Sequence, residues 1–421
     1  MIGNVKNCTG CGACISACGK DAITMQRNRD GFYNPVIDEK KCVGCEMCSK
    51  SCHVLNSVHK NTCAPGVFAV RLRDTDALKE SASGGAFTAF ARQIIGDGGI
   101  VFGVRWSSDF RSAEFCTAES EAELEPMRSS KYVQSLPADY RLVKRYLDEG
   151  RKVLFTGVPC QIGGLYGYLM GKEYANLYTA EIVCHGGGSP SIFESSIDAA
   201  AKQEGSMLIS INQTSKPTSK WSLLIPKVTE RIFDDGRTVS IDSSDEPYMY
   251  LYLKALLYND CCYECKYARM PRTADITMAD FFGFGTVRRH KFNTDYGISM
   301  VMTNNEHGAE LFERAVHSDI VESEPCELEE CLLYNHNLWR PCHKPALRKD
   351  IFELYHSQGF EAVAHKYHQT PKRKVITAVR RMIKGTIGHK NTARLMKAFY
   401  KSKGIDKQVE LVVRSLDQDH Q

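Results

Sequence analysis

Cys8-Thr-Gly-Cys11-Gly-Ala-Cys14-Ile-Ser-Ala-Cys18 is echoed further along by Cys42-Val-Gly-Cys45-Glu-Met-Cys48-Ser-Lys-Ser-Cys52. Both runs have the spacing C-x2-C-x2-C-x3-C, which holds a pair of [4Fe-4S] cubes. Three cysteines two residues apart wrap three corners of one cube, and the fourth points away to the other. One cube is therefore assigned to Cys8, Cys11, Cys14 and Cys52, the other to Cys42, Cys45, Cys48 and Cys18. Gly10, Gly12 and Gly44 let the backbone pass close to the sulfurs and aim amide N–H groups at them. Zinc knuckles use paired C-x2-C units and leave the third and fourth cysteines without purpose.

Residues 1–60 thus read as a bacterial-type 2[4Fe-4S] ferredoxin module. Short strands are expected at Ala22–Met25 and Tyr33–Val36. So small a unit has little core of its own, and its clusters hold it together. Such modules usually carry Pro after the fourth cysteine of each run. Here Gly19 and His53 stand there, which alters the local turn and not the ligation. Asn61 to Pro65 reads as a linker.

The full chain of 421 residues calls for two or three domains. Its 43 % hydrophobic and 25 % charged residues are ordinary for a soluble protein. Eighteen cysteines without an N-terminal signal peptide point to a reducing cytoplasm. The formal charge of +4 counts every cysteine as neutral, and each oxidised cube with four thiolates adds about −2. Three cubes would bring the balance to about −2, so the basicity gives no ground for nucleic-acid binding. Val153 to Met170 is uncharged and long enough to be weighed as a membrane span. Its Gly157, Pro159, Gly163, Gly164 and Gly167 suit a strand, a loop and a helix start instead.

From Val67 strands alternate with helices, which indicates a sheet with at least partly parallel strands. Strands are expected at Val67–Val70, Gly99–Val104, Lys152–Thr156, Leu177–Val183 and Ala274–Met278. A helix should open near Ser83, as N-cap, and run to about Ile95. Others are expected over Ala138–Glu149, from Ser189-Pro190 with Pro at the first position, and over Leu251–Tyr258. Trp221–Ile225 and Arg231–Ile241 read as a hairpin, with turns around Pro226 and at Asp235-Gly236.

A second cysteine set stands out. Cys160 and Cys184 each lie just past a strand's C-terminal end, where α/β sheets form ligand crevices. If those strands are neighbours, both sulfurs face one crevice. With the C-x2-C pair Cys262 and Cys265 they would make a third metal site, and spacing alone leaves zinc and a [4Fe-4S] cluster both open. Cys63, Cys116, Cys261, Cys326, Cys331 and Cys342 read as core or surface thiols.

Several stretches together resemble the coenzyme F-420 hydrogenase/dehydrogenase beta-subunit family. They are Ser83-Gly84-Gly85, Ser129-Ser130-Lys131-Tyr132-Val133-Gln134-Ser135, Phe155-Thr-Gly-Val-Pro-Cys-Gln-Ile162, Cys184-His-Gly186, Cys262-x2-Cys265 and Arg272-Thr-Ala-Asp-Ile-Thr-Met-Ala-Asp-Phe281. They arrive in the family's order and span about residues 1–350. Ala279-Asp280 departs from the usual Gly-Asp. The resemblance implies a flavin, usually FAD with FMN as the alternative, and a further [4Fe-4S] cluster beside it. It does not fix the substrate, since members include a reductase of chlorophyll intermediates and many bacterial proteins without an assigned partner. Ser83, Gly84 and Gly85 at a helix start offer free N–H groups suited to the flavin pyrophosphate. Ser130, Lys131 and Tyr132 are the other flavin candidates, with Lys131 neutralising phosphate or reduced flavin. His185 would tune the adjacent cluster; Arg272 and Asp280 suit an ordinary ion pair or cap equally well. No catalytic residue is assigned.

The expected fold class is α+β. A ferredoxin module (1–60) precedes an α/β flavin- and [4Fe-4S]-binding domain (66–350) and a basic helical C-terminal region (351–421). Between Lys372 and Lys403 stand eleven Lys and Arg and no Asp or Glu. That tail is read as packing on its own domain, with docking on a membrane or an acidic partner as the alternative. The parts spell a relay between a two-electron donor or acceptor, a flavin, three [4Fe-4S] clusters and ferredoxin or another redox partner protein. The reading is an oxidoreductase using a reduced deazaflavin or an unidentified substrate. Its rival is an electron-transfer subunit with no substrate of its own.

Overall fold

The computed structural model describes residues 2, 5–56, 58, 61, 66–216, 218, 219, 227–370, 398 and 401–418. The chain is mixed α+β. In the N-terminal module β1 (Ile23–Arg27) pairs antiparallel with β2 (Tyr33–Ile37), as the cysteine-run spacing left room for. Cys63, most of the linker and the stretch Trp221–Ile225 lie outside the described residues, as does nearly all of the basic run after Lys372.

The rest of the chain builds an eight-stranded sheet. Its members are β3 (Gly66–Leu72), β4 (Ile100–Trp106), β5 (Ala113–Ala118), β6 (Val153–Gly157), β7 (Leu177–Ile182), β11 (Ile276–Asp280), β12 (Ser299–Thr303) and β13 (Val321–Pro325). The order across the sheet is β13-β3-β12-β11-β7-β6-β4-β5. The centre, β11-β7-β6-β4, is parallel, and antiparallel strands close both edges. Every residue of β6 is buried, as a parallel strand covered on both faces must be. Alternation sorts its side chains. Leu154 joins Val101, Phe90 and Ile94 beneath the helices Ala86–Gly96 and Glu306–His317. Val153 and Phe155 join Ile100, Phe102, Val143 and Leu165 beneath Tyr140–Asp148 and Pro159–Leu169. The uncharged stretch Val153–Met170 is therefore a strand followed by a helix, and no described helix is long and apolar enough to cross a membrane.

Four expectations need correction. Ser83 is not an N-cap: the helix begins at Ala86 with Gly85 before it, and Ser83 takes a left-handed φ of +50°. The hairpin is part of a three-stranded meander of β8 (Leu208–Ser215), β9 (Val228–Phe233) and β10 (Thr238–Asp242). Asp235-Gly236 does make its turn, splitting the expected long strand, whereas β8 was missed because its polar Asn212, Gln213 and Thr214 hide the strand pattern. The helix expected at Leu251–Tyr258 is Pro247–Leu253, since Glu246 caps it and Pro247 occupies its first position. A helix Leu347–Tyr367, bent at Gly359, runs straight through position 350, and its Phe352 and Phe360 share a core with Phe193 and Tyr248.

Candidate redox site

The N-terminal module seats its first cysteine run against the sheet domain. Gly12 ends the run's loop in a left-handed turn (φ +89°) that feeds the short helix Ala13–Ser16. Ser16 Oγ accepts the Tyr140 N–H at 3.1 Å, and Ala13 packs among Phe155, Ile162 and Leu165. The helix Pro159–Leu169 supplies the receiving face with three glycines. A Cβ on Gly164 would stand 3.0 Å from Cys11 Sγ, one on Gly167 2.3 Å from Ser51 O, and one on Gly163 1.9 Å from Tyr267 Oη. Gly163-Gly164-x2-Gly167 is thus a docking face, although in the sequence these glycines argue only against a membrane helix.

Cys8, Cys11, Cys14 and Cys52 lie within electrostatic reach of one another. Burial pushes the Cys11 thiol up to about 12 and raises those of Cys8 and Cys14 as well. Cys42 and Cys45 of the second run are exposed, and Cys18 and Cys48 half-buried. Cys18 Sγ accepts the Ala22 N–H at 3.3 Å, the kind of amide–sulfur bond that cluster ligands use.

The four later cysteines do converge. β6 and β7 are parallel neighbours, Gly157 opposite Glu181, so Cys160 and Cys184 leave the sheet side by side. Cys160 senses the charges of Cys184, Cys265 and Cys262, and also that of Cys11 across the module boundary. Cys262 lies in the 3-10 turn Asp260–Glu264, with Cys265 directly after it. Cys262 Sγ accepts the Gly187 N–H at 3.3 Å. Burial raises the Cys160, Cys184 and Cys265 thiols, so a cation must displace their protons before they can act as ligands. A single zinc ion gathers its thiolates closely, with Zn–S near ~2.3 Å. Among the described residues, none of these twelve cysteines belongs to a group of three or more ligand atoms lying within 4.8 Å of one another. Both sets are spread more widely than one ion needs.

A cavity of about 1220 Å³ opens at the C-terminal ends of the parallel strands. Cys11, Cys160, Cys184, Cys262 and Cys265 all line it. Ser83, Ser130, Lys131 and Tyr132 line it too, whereas Gly84 and Gly85 do not. Those two glycines serve packing. A Cβ on Gly84 would lie 2.2 Å from Val70 O, and its N–H donates to Ser299 Oγ at 2.9 Å. The Gly85 N–H donates to Ala82 O, so the free amides expected here are spent within the protein.

Two features of the wall were not legible beforehand. Lys227, from the far side of the meander, donates to Asp280 Oδ2 at 2.6 Å and to Tyr132 Oη at 3.4 Å. Ser83 Oγ donates to the other Asp280 oxygen. Burial alone would raise the Asp280 carboxyl, but Lys227 holds it below its ordinary value, and Lys227 in turn is held above the ordinary lysine value. Asp280 therefore proves to be half of an ion pair. Lys131 differs: its ammonium donates to the carbonyls of Pro126 (2.7 Å) and Ser129 (2.8 Å), and burial lowers it to about 7. No carboxylate among the described residues pairs with it. Arg272 is the other expected ion pair, fully buried on Glu181 at 2.6 Å and donating also to Tyr267 O at 2.7 Å. His185, beside Cys184, lines the cavity and is lowered by burial.

Residues 150–329 match the family described as the C terminus of the coenzyme F-420 hydrogenase/dehydrogenase beta subunit. Residues 7–55 match the 4Fe-4S dicluster domain. No curated protein matches. Among solved structures, a chain of the F-420-reducing [NiFe] hydrogenase complex from Methanosarcina barkeri is 18 % identical, with a TM-score of 0.43, over 79 % of this chain and 96 % of that one. On the two family matches, which fall on the cysteine runs and on the sheet that carries the cavity, the chain is an electron-transferring iron–sulfur member of the coenzyme F-420 hydrogenase/dehydrogenase beta-subunit family with an N-terminal 4Fe-4S dicluster domain.

Proposed function

We propose that the chain is a flavin-dependent iron–sulfur oxidoreductase. It relays electrons between a two-electron donor or acceptor, such as a reduced deazaflavin, and an external ferredoxin or similar redox protein. One observation carries this reading: the cavity has cysteines of both sets in its wall, Cys11 on one side and Cys160, Cys184, Cys262 and Cys265 on the other. The volume exceeds the roughly 300–1,000 Å³ of common small-molecule sites. Three [4Fe-4S] clusters then stand in line, from the exposed Cys42 and Cys45 inward to the cavity.

The residues fit a flavin in a particular way. Lys131, with no carboxylate partner, is the group to hold a phosphate, aided by Ser130 and Tyr132, while Gly84 and Gly85 only shape the loop. Lys227, its charge fixed by Asp280, offers a permanent cation on the opposite wall. A bound flavin supplies the exchange between two-electron organic chemistry and one-electron clusters. The rival reading, an electron-transfer subunit without substrate, keeps the same clusters and needs no organic ligand in the cavity.

Anaerobically purified protein should carry about twelve iron atoms, four per cube, and release FAD or FMN on denaturation. Absence of flavin from the supernatant of reconstituted protein would sink the flavin reading, and about eight iron with one four-sulfur zinc would remove the third cluster. Cys265→Ser should lose one cluster and spare the other two. Lys131 gives a pH signature. It sheds its proton above about pH 7, so retention of a phosphate-bearing ligand should weaken as pH rises through that value. Without ligand, the buried ammonium costs stability below that pH, and stability should climb towards the unfolded lysine value of 10.5. Lys131→Met should flatten both dependences.

A further inference from the structure

His185, His336 and Cys342 form a cluster that the relay does not use. Their ligand atoms all lie within 4.8 Å of one another. Cys342 Sγ stands 3.5 Å from His336 Nε2, and the two imidazole rings are 5.8 Å apart, nearly edge to face. Three segments bring them together: the exit of β7, the 3-10 turn His336–Leu338, and the loop after it. Asn337 braces the thiol, its Nδ2 donating to Cys342 Sγ at 3.5 Å. His185 and His336 face the large cavity. His336 and Cys342 also border a second cavity of about 1010 Å³, whose rim includes Lys6, Arg340 and His343.

We propose that His185, His336 and Cys342 hold one divalent ion of the zinc type, with its fourth coordination place open to the large cavity. Two imidazoles and a thiolate are the donors such an ion prefers, and three protein ligands with one open place are the pattern of reactive rather than structural zinc. Asn337 provides the outer hydrogen bond that orients a ligand. The second cavity gives the ion its way in. On binding, Cys342 gives up its thiol proton to solvent and the ion exchanges three water ligands for protein ones; no electron moves. An oxygen of whatever occupies the cavity can then take the open place from water. The comparable cluster His290, Cys326 and Glu330 lacks this character. Both His290 nitrogens are taken by carboxylates, Glu324 at 2.7 Å and Glu330 at 3.1 Å, which makes an ion pair and leaves no nitrogen lone pair for a metal.

The test uses the full chain, purified anaerobically from cells supplied with iron and zinc, then incubated with Zn²⁺ alone and desalted. Metal analysis should find about one zinc beside about twelve iron, and zinc-edge X-ray absorption should show one sulfur and two nitrogen ligands. Cys342→Ala and His336→Gln should each lose that zinc with iron and the cluster absorption unchanged. Full iron with no zinc would overturn this site and leave the relay intact. Iron falling together with zinc in both variants would overturn it too, by making Cys342 part of the neighbouring cluster's support. A zinc bound by four sulfurs beside about eight iron would overturn both this site and the third cluster.

Discussion

Gly10 and Gly44 hold the same place in two cysteine runs of the same spacing, and both have left-handed backbones, φ +72° and +68°. A Cβ on Gly10 would stand 2.5 Å from Gln134 Nε2 and 2.8 Å from Tyr33 O, whereas one on Gly44 would meet nothing within 4 Å. The next turn repeats the contrast. Gly12 presses on Pro137, while its counterpart Glu46 carries a positive φ of +60° in the open. After the fourth cysteines the pattern recurs. His53 is buried, its nitrogens 3.1 Å from Thr9 Oγ1 and 2.6 Å from Tyr267 Oη, whereas Gly19 is exposed and has no neighbour. Equal spacing therefore makes two equal ligand sets, and docking makes one of them an inner set and the other an outer one. In a relay the outer set receives and the inner set passes on.

The largest effect should separate these roles. With reduced ferredoxin as donor, reduction of the centre at Cys160, Cys184, Cys262 and Cys265 should fall to background in Cys14→Ser and only slow in Cys45→Ser. Deleting residues 1–60 should abolish it while photochemical reduction of the cavity-side centres persists. Equal rates with and without that module would reduce it to a docking appendage and break the comparison.

Next in size is the network that braces the inner side. Arg272 is buried on Glu181 and also holds the carbonyl of Tyr267, the residue that meets His53. Breaking a buried pair by removing one partner costs about 3–5 kcal/mol. Arg272→Met should lose that much in denaturant unfolding; a loss below about 1 kcal/mol would mean that the pair is not holding the inner face.

The glycine pair gives a sharper measure. Alanine in a left-handed conformation costs about 1–3 kcal/mol at either position. Gly10→Ala also overpacks against Gln134 and Tyr33, which adds about 1–3 kcal/mol. A Gly10→Ala loss no greater than that of Gly44→Ala would mean the first run is not pressed against the sheet domain.

The smallest effect belongs to Gln134. Its Oε1 accepts the Tyr33 N–H at 2.9 Å, and its Nε2 donates to Thr9 O at 3.1 Å, so one side chain fastens β2 and the first cysteine loop to the sheet domain. Gln134→Leu should cost about 1 kcal/mol and speed hydrogen exchange at Tyr33 while leaving the loop around Cys45 unchanged.

Local rules made much of this legible. Cysteine spacing is set by how a short loop wraps a cube, so eight ligand positions can be read without knowing any fold. Alternation and helix caps place β6, β7 and the helix from Pro190 because those patterns depend on neighbours in sequence. The candidate third set needed one assumption, that β6 and β7 are neighbours, and parallel pairing supplies it. Tertiary structure alone decided the rest. Lys227 meets Asp280 because the meander folds back over the strand ends, and no spacing rule links those positions. Ser83-Gly84-Gly85 looked like a phosphate loop because its glycines permit close approach. What approaches is Val70 and Ser299, not a ligand. Which cysteine run lies inside was equally unreadable, since a repeat writes the same letters twice and only packing against a third partner makes its copies differ.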